Sequence, residues 1–466
     1  MQRLLISSMV LAACSFSGPS GGTVDSGDDG NGDASVDPDA APGACDAAPT
    51  WESGLEPVRT LHVSTLPGVG IPDGTPQRPF LAISAAVAAA KTAGPGTRIL
   101  LAGGVYTAGG ATIQDLRGTA TAPFWIEGPP TGLRALINTG GPGIHLVRPA
   151  YVVVRHLDIN AVSQPGFNAD DGGVGGNANH VVVEDLIISS LGTAAFQLTG
   201  VTDVAIRDSR AASCERAVMM VGVQRASVAR FTAGSMTFAG AVITGGSRDI
   251  EVRQSRFGST SRIGIWIGGG SDANEFRPPL SAAGNNFEAA DVRVFDNLID
   301  DADDAVTCSN CTRALVAHNE IRRISRFVFR LVQERTSVGG FAFGSPGAVR
   351  WINNAIEVGG FTGMNPGALD VFSAAGGSTA LASCQLSHNL WYKTSPPATW
   401  MPNLPASLSE TMGVYDRPSG YDSNGRLCAG GAVGAGLALP EVTGTLGGAC
   451  RPAPPSIGPS ERDPGC

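Results

Sequence analysis

Val292-Arg-Val294-Phe-Asp-Asn297, Ala314-Leu-Val316-Ala-His-Asn319, Val349-Arg-Trp351-Ile-Asn-Asn354 and Gln385-Leu386-Ser-His-Asn389 repeat one pattern. Each is a short apolar alternation followed, three residues on, by an asparagine. Alternation of period two over so few residues reads as a strand, and asparagine reads as the corner that ends it. Working outward, the same alternation ends at 154, 183, 206, 228 and 252 as well as at 294, 316, 351 and 386. Four of the eight gaps between these markers are 22 to 24 residues. Ser209 and Ser255 take the asparagine's place in two of the coils. Most coils carry a second strand-like stretch 12 to 15 residues after the marker, for example Ile265-Trp-Ile267 and Val306-Thr-Cys308. No intervening stretch is long enough for crossover helices. A period near 22 with short strands and no helix predicts an all-β, parallel β-helix, in which stacked coils bury what one coil cannot. The asparagines are expected to form a ladder, hydrogen-bonding coil to coil and taking the left-handed corner conformation.

Composition agrees. The 466 residues include 63 Gly and 31 Pro, which disfavours a helical protein, and 42% apolar residues, which excludes wholesale disorder. The net charge is −9, with lysines only at 91 and 393 and the arginines scattered. Nucleic acid is therefore not an expected partner.

Met1-Gln-Arg3, the apolar run Leu4 to Val10 and Leu11-Ala-Ala-Cys14 resemble a bacterial lipoprotein signal ending in a lipobox. The resemblance implies lipidation of Cys14, with Ser15 after it favouring the outer membrane and the cell surface. The apolar run is too short to span a bilayer, so the membrane is a partner only through the anchor. Residues 15–57 read as a Gly/Ser/Asp/Pro-rich tether, 58–395 as the solenoid, and 396–466 as an irregular Cys/Pro/Gly-rich cover on the last coil. A monomer is expected. Apart from Cys14 there are eight cysteines, and export makes disulfides their expected state. Cys308-Ser-Asn-Cys311 has zinc or redox spacing, but no second such pair accompanies it; a disulfide is expected, free thiols being the alternative.

His62-Val-Ser-Thr65, Gly70-Ile-Pro-Asp-Gly-Thr-Pro-Gln-Arg-Pro79-Phe80, the Ala-rich stretch to Ala93, Gly94-Pro-Gly96-Thr-Arg-Ile99 and Gly104-Val-Tyr106-Thr107 resemble the opening module of right-handed parallel β-helix proteins of the pectate-lyase-like superfamily. The resemblance implies a pectin-lyase-like solenoid, with a short helix capping its N-terminal end. That fold carries lyases, hydrolases, esterases, epimerases and adhesins, so function has to come from a site.

Insertions at Gly268–Glu288, Gln333–Gly347 and about 373–383 all follow the second strand and precede the next marker, so they are placed to wall one edge of the solenoid. Beside that edge lie Asp300, Asp301, Asp303 and Asp304. Counting ten residues from markers 252, 294 and 316 puts Arg262, Asp304 and Arg326 in one row. Carboxylates flanked by arginines suit uronate polymers: acids can exchange protons or bind Ca2+, and arginine clamps a sugar carboxylate. The candidate catalytic residues are Asp303, Asp304 and Arg326. Arg262, Arg330 and Trp266 are candidates for binding substrate, Trp266 by stacking on a sugar ring. The same residues fit a surface ladder of turn carboxylates and arginines. The double Asp resembles the paired acids of polygalacturonases, but the Gly-His-Gly, Arg-x-Lys and Asn-Thr-Asp that accompany them are absent. Two readings stand: a lyase or hydrolase of acidic glycans, and a non-catalytic surface scaffold that binds glycan. Asp and Arg side chains open to a groove favour the first, and pairs closed on each other the second.

Overall fold

The computed structural model describes residues 45, 50–107, 111–161, 163–173, 175, 177–190, 192–358, 367–373, 379–393, 402, 404–415, 417–463 and 465. Cys14 and nearly all of the tether up to residue 49 lie outside the described residues, as do 374–378 of the third insertion.

The repeat markers stand opposite one another. Val154 pairs with Val183, then Ile206, Val228, Val252, Val294, Val316, Trp351 and Leu386, each in parallel with the next coil. This first sheet runs from Arg59–Val63 to Glu410–Thr411, so parallel pairing continues past residue 395. A second sheet begins at Gly104–Tyr106 and ends at Val414–Tyr415. A third begins at Ala111–Gln114 and ends at Gly367–Ser373. The chain is a pectin-lyase-like right-handed parallel β-helix, with one continuous core of inward Val, Ile, Leu, Phe and Ala inside the three faces. Helix Ile83–Ala93 buries Ile83, Ala86, Val87 and Ala90, an i, i+3, i+4, i+7 stripe, against the first coil and shields its open end.

The asparagines form the expected ladder. Asn297 Nδ2 donates to Asn319 Oδ1 at 3.0 Å, Asn319 to Asn354 at 2.9 Å and Asn354 to Asn389 at 2.8 Å. Each amide also donates to a backbone carbonyl of a neighbouring coil, and Glu410 closes the stack by accepting from Asn389. The left-handed corner, however, belongs to the residue before: Asp296, His318, Asn353 and His388 have φ between 53° and 59°. The split follows from the two tasks. The corner residue turns its side chain outward, and the next one turns inward to hydrogen-bond. Asp, Asn and His tolerate that φ better than most residues.

Cys308–Cys311 is a disulfide, as is Cys45–Cys450 across a sequence separation of 405, and Cys428 is disulfide-bonded. Cys214 and Cys384 are free, so the even count does not convert wholly into bridges. Cys214 belongs to the apolar core of its coil, turned toward the Met236 sulfur at 3.4 Å.

After Tyr415 the chain turns back along the flank as a strap. Leu439 and Val442 cover outward Phe295, Leu315 and Ile352, and Leu427, Ala432 and Ile457 cover Ala355 and Leu390. Buried Arg451 pairs with Asp296, Asn353 brackets Leu437, and Gln254 donates to the Thr445 carbonyl at 2.8 Å. The cover therefore reaches several coils back from the C-terminal end. At the other end Trp51 and Leu55 pack on outward Trp125, Val153, Val182 and Ala205.

Asn354→Ala removes a fully buried amide and orphans its neighbours; we expect a loss of about 2–4 kcal/mol in a denaturant titration. Under the strap, burial, reinforced by Asp300 and Glu357 and only partly offset by Arg322, pushes Glu320 up to about 8. A carboxyl raised on folding stabilises most below its unfolded pKa and loses that contribution as pH climbs toward 8. Glu320→Gln should therefore raise the melting temperature at pH 8 while changing little at pH 4.

Candidate functional site

The strap and the N-terminal segment cover parts of the first and second sheets, whereas the outer face of the third sheet lies beside the insertions. Along that face the register places in one row His145, Asn168, Gln197, Met219, Val242, Trp266, Thr307 and Arg330. At roughly 4.8 Å per coil the row is about 34 Å long, the length of an oligosaccharide rather than of a single sugar.

One side of the row is walled. Buried Glu288, at the end of the first insertion, accepts from Thr244 Oγ1 at 2.7 Å and from the Gly245 and Ser271 amides, and it pairs with Arg335 of the second. The second insertion carries the hairpin Ser337–Val338 and Phe341–Ala342, and its Phe343 packs on Phe276 of the first at 5.9 Å. The two insertions are thus one wall, held by a buried carboxylate and an aromatic contact.

The other side is a rim of alternating arginine and aromatic side chains. Arg216 and Arg262 lie over the Phe238 ring, at 4.8 and 5.2 Å from its centre. Arg326 and Arg330 lie over Phe327 at 5.6 and 5.4 Å. Half-buried Trp266 leans on Phe238 at 5.6 Å, and its buried indole N–H has no protein partner. The neighbouring Thr307 hydroxyl is likewise buried and unpartnered.

The register corrects the expected row. Asp304 pairs with Ile263 and Phe327, not with Arg262 and Arg326. Gly258 faces Asp300 and Ile263 faces Asp304, while Ala302 faces Ile324 and Asp304 faces Phe327. The coil of Asp304 is therefore one residue shorter at this corner than both neighbours. Asp304 is fully buried, held by Arg326 at 2.8 and 2.5 Å and by Arg330 at 3.1 Å. Asp303 accepts from Ser325 Oγ at 2.6 Å, and Asp300 is drawn to Arg322 and Arg323. Carboxylates engaged this way do not fit Ca2+, and among the described residues no three His, Cys, Asp or Glu side chains converge as a metal site. Arg262 is exposed, and Arg326 keeps 45% of its side chain open to solvent.

Sequence reasoning passed over other groups on this face. Ten residues after markers 206 and 228 come Arg216 and Phe238, so the same count would have found the rim. His145 Nε2 meets Asp170 Oδ2 at 2.5 Å. Burial tends to raise the Asp170 carboxyl, but His145, the Gly172 amide and Arg148 outweigh it and hold the pKa below the ordinary value. Glu334, at the foot of the second insertion, is raised by desolvation that Arg330 only partly offsets. Neither belonged to a local motif.

No protein-family model matches the chain, and no curated protein matches it. Among solved structures it is similar to pectate lyase Pel9A, at 15% identity and a TM-score of 0.51 over 88% of this chain and 98% of that one. It also aligns with an alginate lyase from Paenibacillus sp. str. FPU-7 (15% identity, TM-score 0.43, 68% and 98% covered). A further match is the A-module of the Azotobacter vinelandii mannuronan C-5 epimerase AlgE6 (16%, 0.46, 72% and 94%). At such identities the likeness to Pel9A shows the fold.

Removing both Arg326 and Arg330 (to Ala) leaves the buried Asp304 carboxylate without a counter-charge, and the fold should lose about 3 kcal/mol. Adding Asp304→Asn should restore most of that loss in the same denaturant titration. An unchanged double variant would mean that water reaches the carboxylate.

Proposed function

We propose that this protein is an exported, lipid-anchored surface protein that binds an acidic polysaccharide along the third-sheet face, without using Asp304 as a catalytic acid or base. The observation that carries the reading is the rim, in which Phe238 and Phe327 each sit against two arginines. A uronate residue offers an apolar ring face and a carboxylate on its edge. Aromatic rings take the first and planar guanidiniums the second. The closed Asp304–Arg326–Arg330 cluster suits a scaffold, because both carboxylate oxygens are turned to guanidiniums of the protein and the carboxylate is buried beneath them. The lipobox resemblance at Cys14 supports the surface anchor.

A second reading, in which the same face processes the chain, is favoured by Glu334, a raised carboxyl beside Arg330, and by the His145–Asp170 pair.

Titration calorimetry against polygalacturonate and alginate should show binding that weakens with salt. Arg262→Ala with Arg326→Ala should weaken it about tenfold at low salt, on the order of two lost exposed charge contacts. Asp304→Asn should tighten it, since the two guanidiniums lose their internal counter-ion. Absorbance of unsaturated products and reducing ends, followed together, should stay flat. Product that disappears in Glu334→Gln would instead establish an enzyme, and absence of binding to every acidic polymer would remove the glycan reading.

A further inference from the structure

We propose that the loop from Ser64 to Pro72, with Leu133 beside it, docks on a lipid bilayer, the one to which an acylated Cys14 holds the chain; the proposal rests on the lipid-anchor reading above. Among the described residues, most of the exposed large apolar side chains fall between Val58 and Leu133. Leu66, Val69, Ile71 and Leu133 are 73%, 87%, 85% and 74% exposed. No residue from Val63 through Pro72 carries a charge. The loop is built to hold these side chains outward. The Leu66 amide donates to Ser64 Oγ at 3.0 Å and the Val69 amide to the Gln77 carbonyl at 3.2 Å. A Cβ on Gly68 would lie 2.1 Å from that same carbonyl oxygen, so the backbone is packed flat there. The next coil continues the patch: a Cβ on Gly104 would touch Thr65, and one on Gly103 would touch Leu133. Behind the loop is a cavity of about 510 Å3 walled by Leu66, Pro67, Pro79, Leu101, Pro129 and Pro130, with no Asp, Glu, Lys or Arg in its lining.

A solvent-facing apolar patch marks an interaction site; the Arg78–Asp73 ion pair at its border is neutral as a pair, and an aliphatic, proline-rich surface suits acyl chains and glycerol esters better than a charged protein partner. The anchor identifies the occupant. Residues 15–44 separate Cys14 from Cys45, which Cys450 fixes to the solenoid beside Gly444 and Gln254, seven coils or roughly 34 Å along the stack from Arg59–Val63. A Gly/Ser-rich sequence of that length would have a root-mean-square reach of roughly 30 Å, which matches the span from Cys45 to the end of the solenoid that carries the loop. Three or four aliphatic side chains entering an interface bind weakly alone. A tether makes their insertion an intramolecular step at high effective concentration. Docking at this end leaves the rim at Arg262 and Arg326, several coils further along, away from the bilayer.

The test uses the full-length acylated protein in phosphatidylethanolamine–phosphatidylglycerol vesicles, carrying a nitroxide on Val69→Cys or, as a control, on Met412→Cys at the far coil. Both positions are exposed, so neither label disturbs the core. At Val69 the ratio of collisions with oxygen to collisions with a water-soluble nickel chelate should be at least fivefold higher than at Met412. Equal ratios would overturn the proposal, and so would spin–spin broadening between Val69 labels, which would assign the patch to a second copy. Mass analysis of the Cys14 peptide keeps the two readings apart. If no acyl chain is present the anchor reading fails, while a Val69 label still immersed in lipid supports docking and one in water overturns it.

Discussion

Coils of a parallel solenoid stack only if the corner between the first and second sheets satisfies its backbone inside the core. Here the buried amide ladder performs that task. Each asparagine ties its own coil to the coils on either side, so a shift of the Asn319 coil by a single residue would break four hydrogen bonds at once. That cooperativity fixes the register. The register then dictates which side chains meet on all three outer faces. The stack ends where Glu410 supplies a carboxylate in place of another amide, accepting also from the Trp391 indole.

Fixed register has an electrostatic consequence. Equivalent positions recur every coil at close spacing, so like charges in one column repel and opposite charges in successive coils attract. The chain uses the second arrangement repeatedly: Asp203 with Arg225, Asp208 with Arg230, Asp291 with Arg313 and Asp300 with Arg322, each arginine 22 residues after its acid. Asp304 with Arg326 has the same spacing. The pair at the groove is thus one instance of a general device for joining coils. Like Asp300, which is also buried and takes Arg323 as well as Arg322, Asp304 takes a second arginine, Arg330, and it sits where its coil is one residue shorter.

This separates what was legible in the sequence from what was not. The markers and the ladder were legible because both come from strict repetition, and repetition survives without knowing how the chain bends. The count that aligned Arg262, Asp304 and Arg326 failed by one residue because it assumed coils of equal length at a corner where one is shorter. The left-handed φ fell on Asp296, His318, Asn353 and His388 because the asparagine after each was needed inside. The strap left no periodic signal: its apolar residues Leu439, Val442 and Ile457 find partners on coils a hundred or so residues away in sequence. His145 and Asp170 meet only because successive coils stack, and Glu334 is raised only because an insertion folds over it.

A face that binds a polyanion and a face that cleaves one need the same arginines and the same aromatic platforms, so these do not discriminate between the two uses. The discriminating quantity is whether a titratable group keeps a lone pair or proton free while the chain is bound. Asp304 is poorly placed for it, since the carboxylate is buried and both of its oxygens are turned to guanidiniums of the protein. Among the described side chains on this face, His145, paired with Asp170, and Glu334, just past Arg330, stand about seven coils apart. At roughly 4.8 Å per coil that is about 34 Å, several times the separation at which an acid and a base can act on one glycosidic bond. His145 and Glu334 therefore do not form an acid–base pair with each other, and the row, the wall and the rim extend along the face between them.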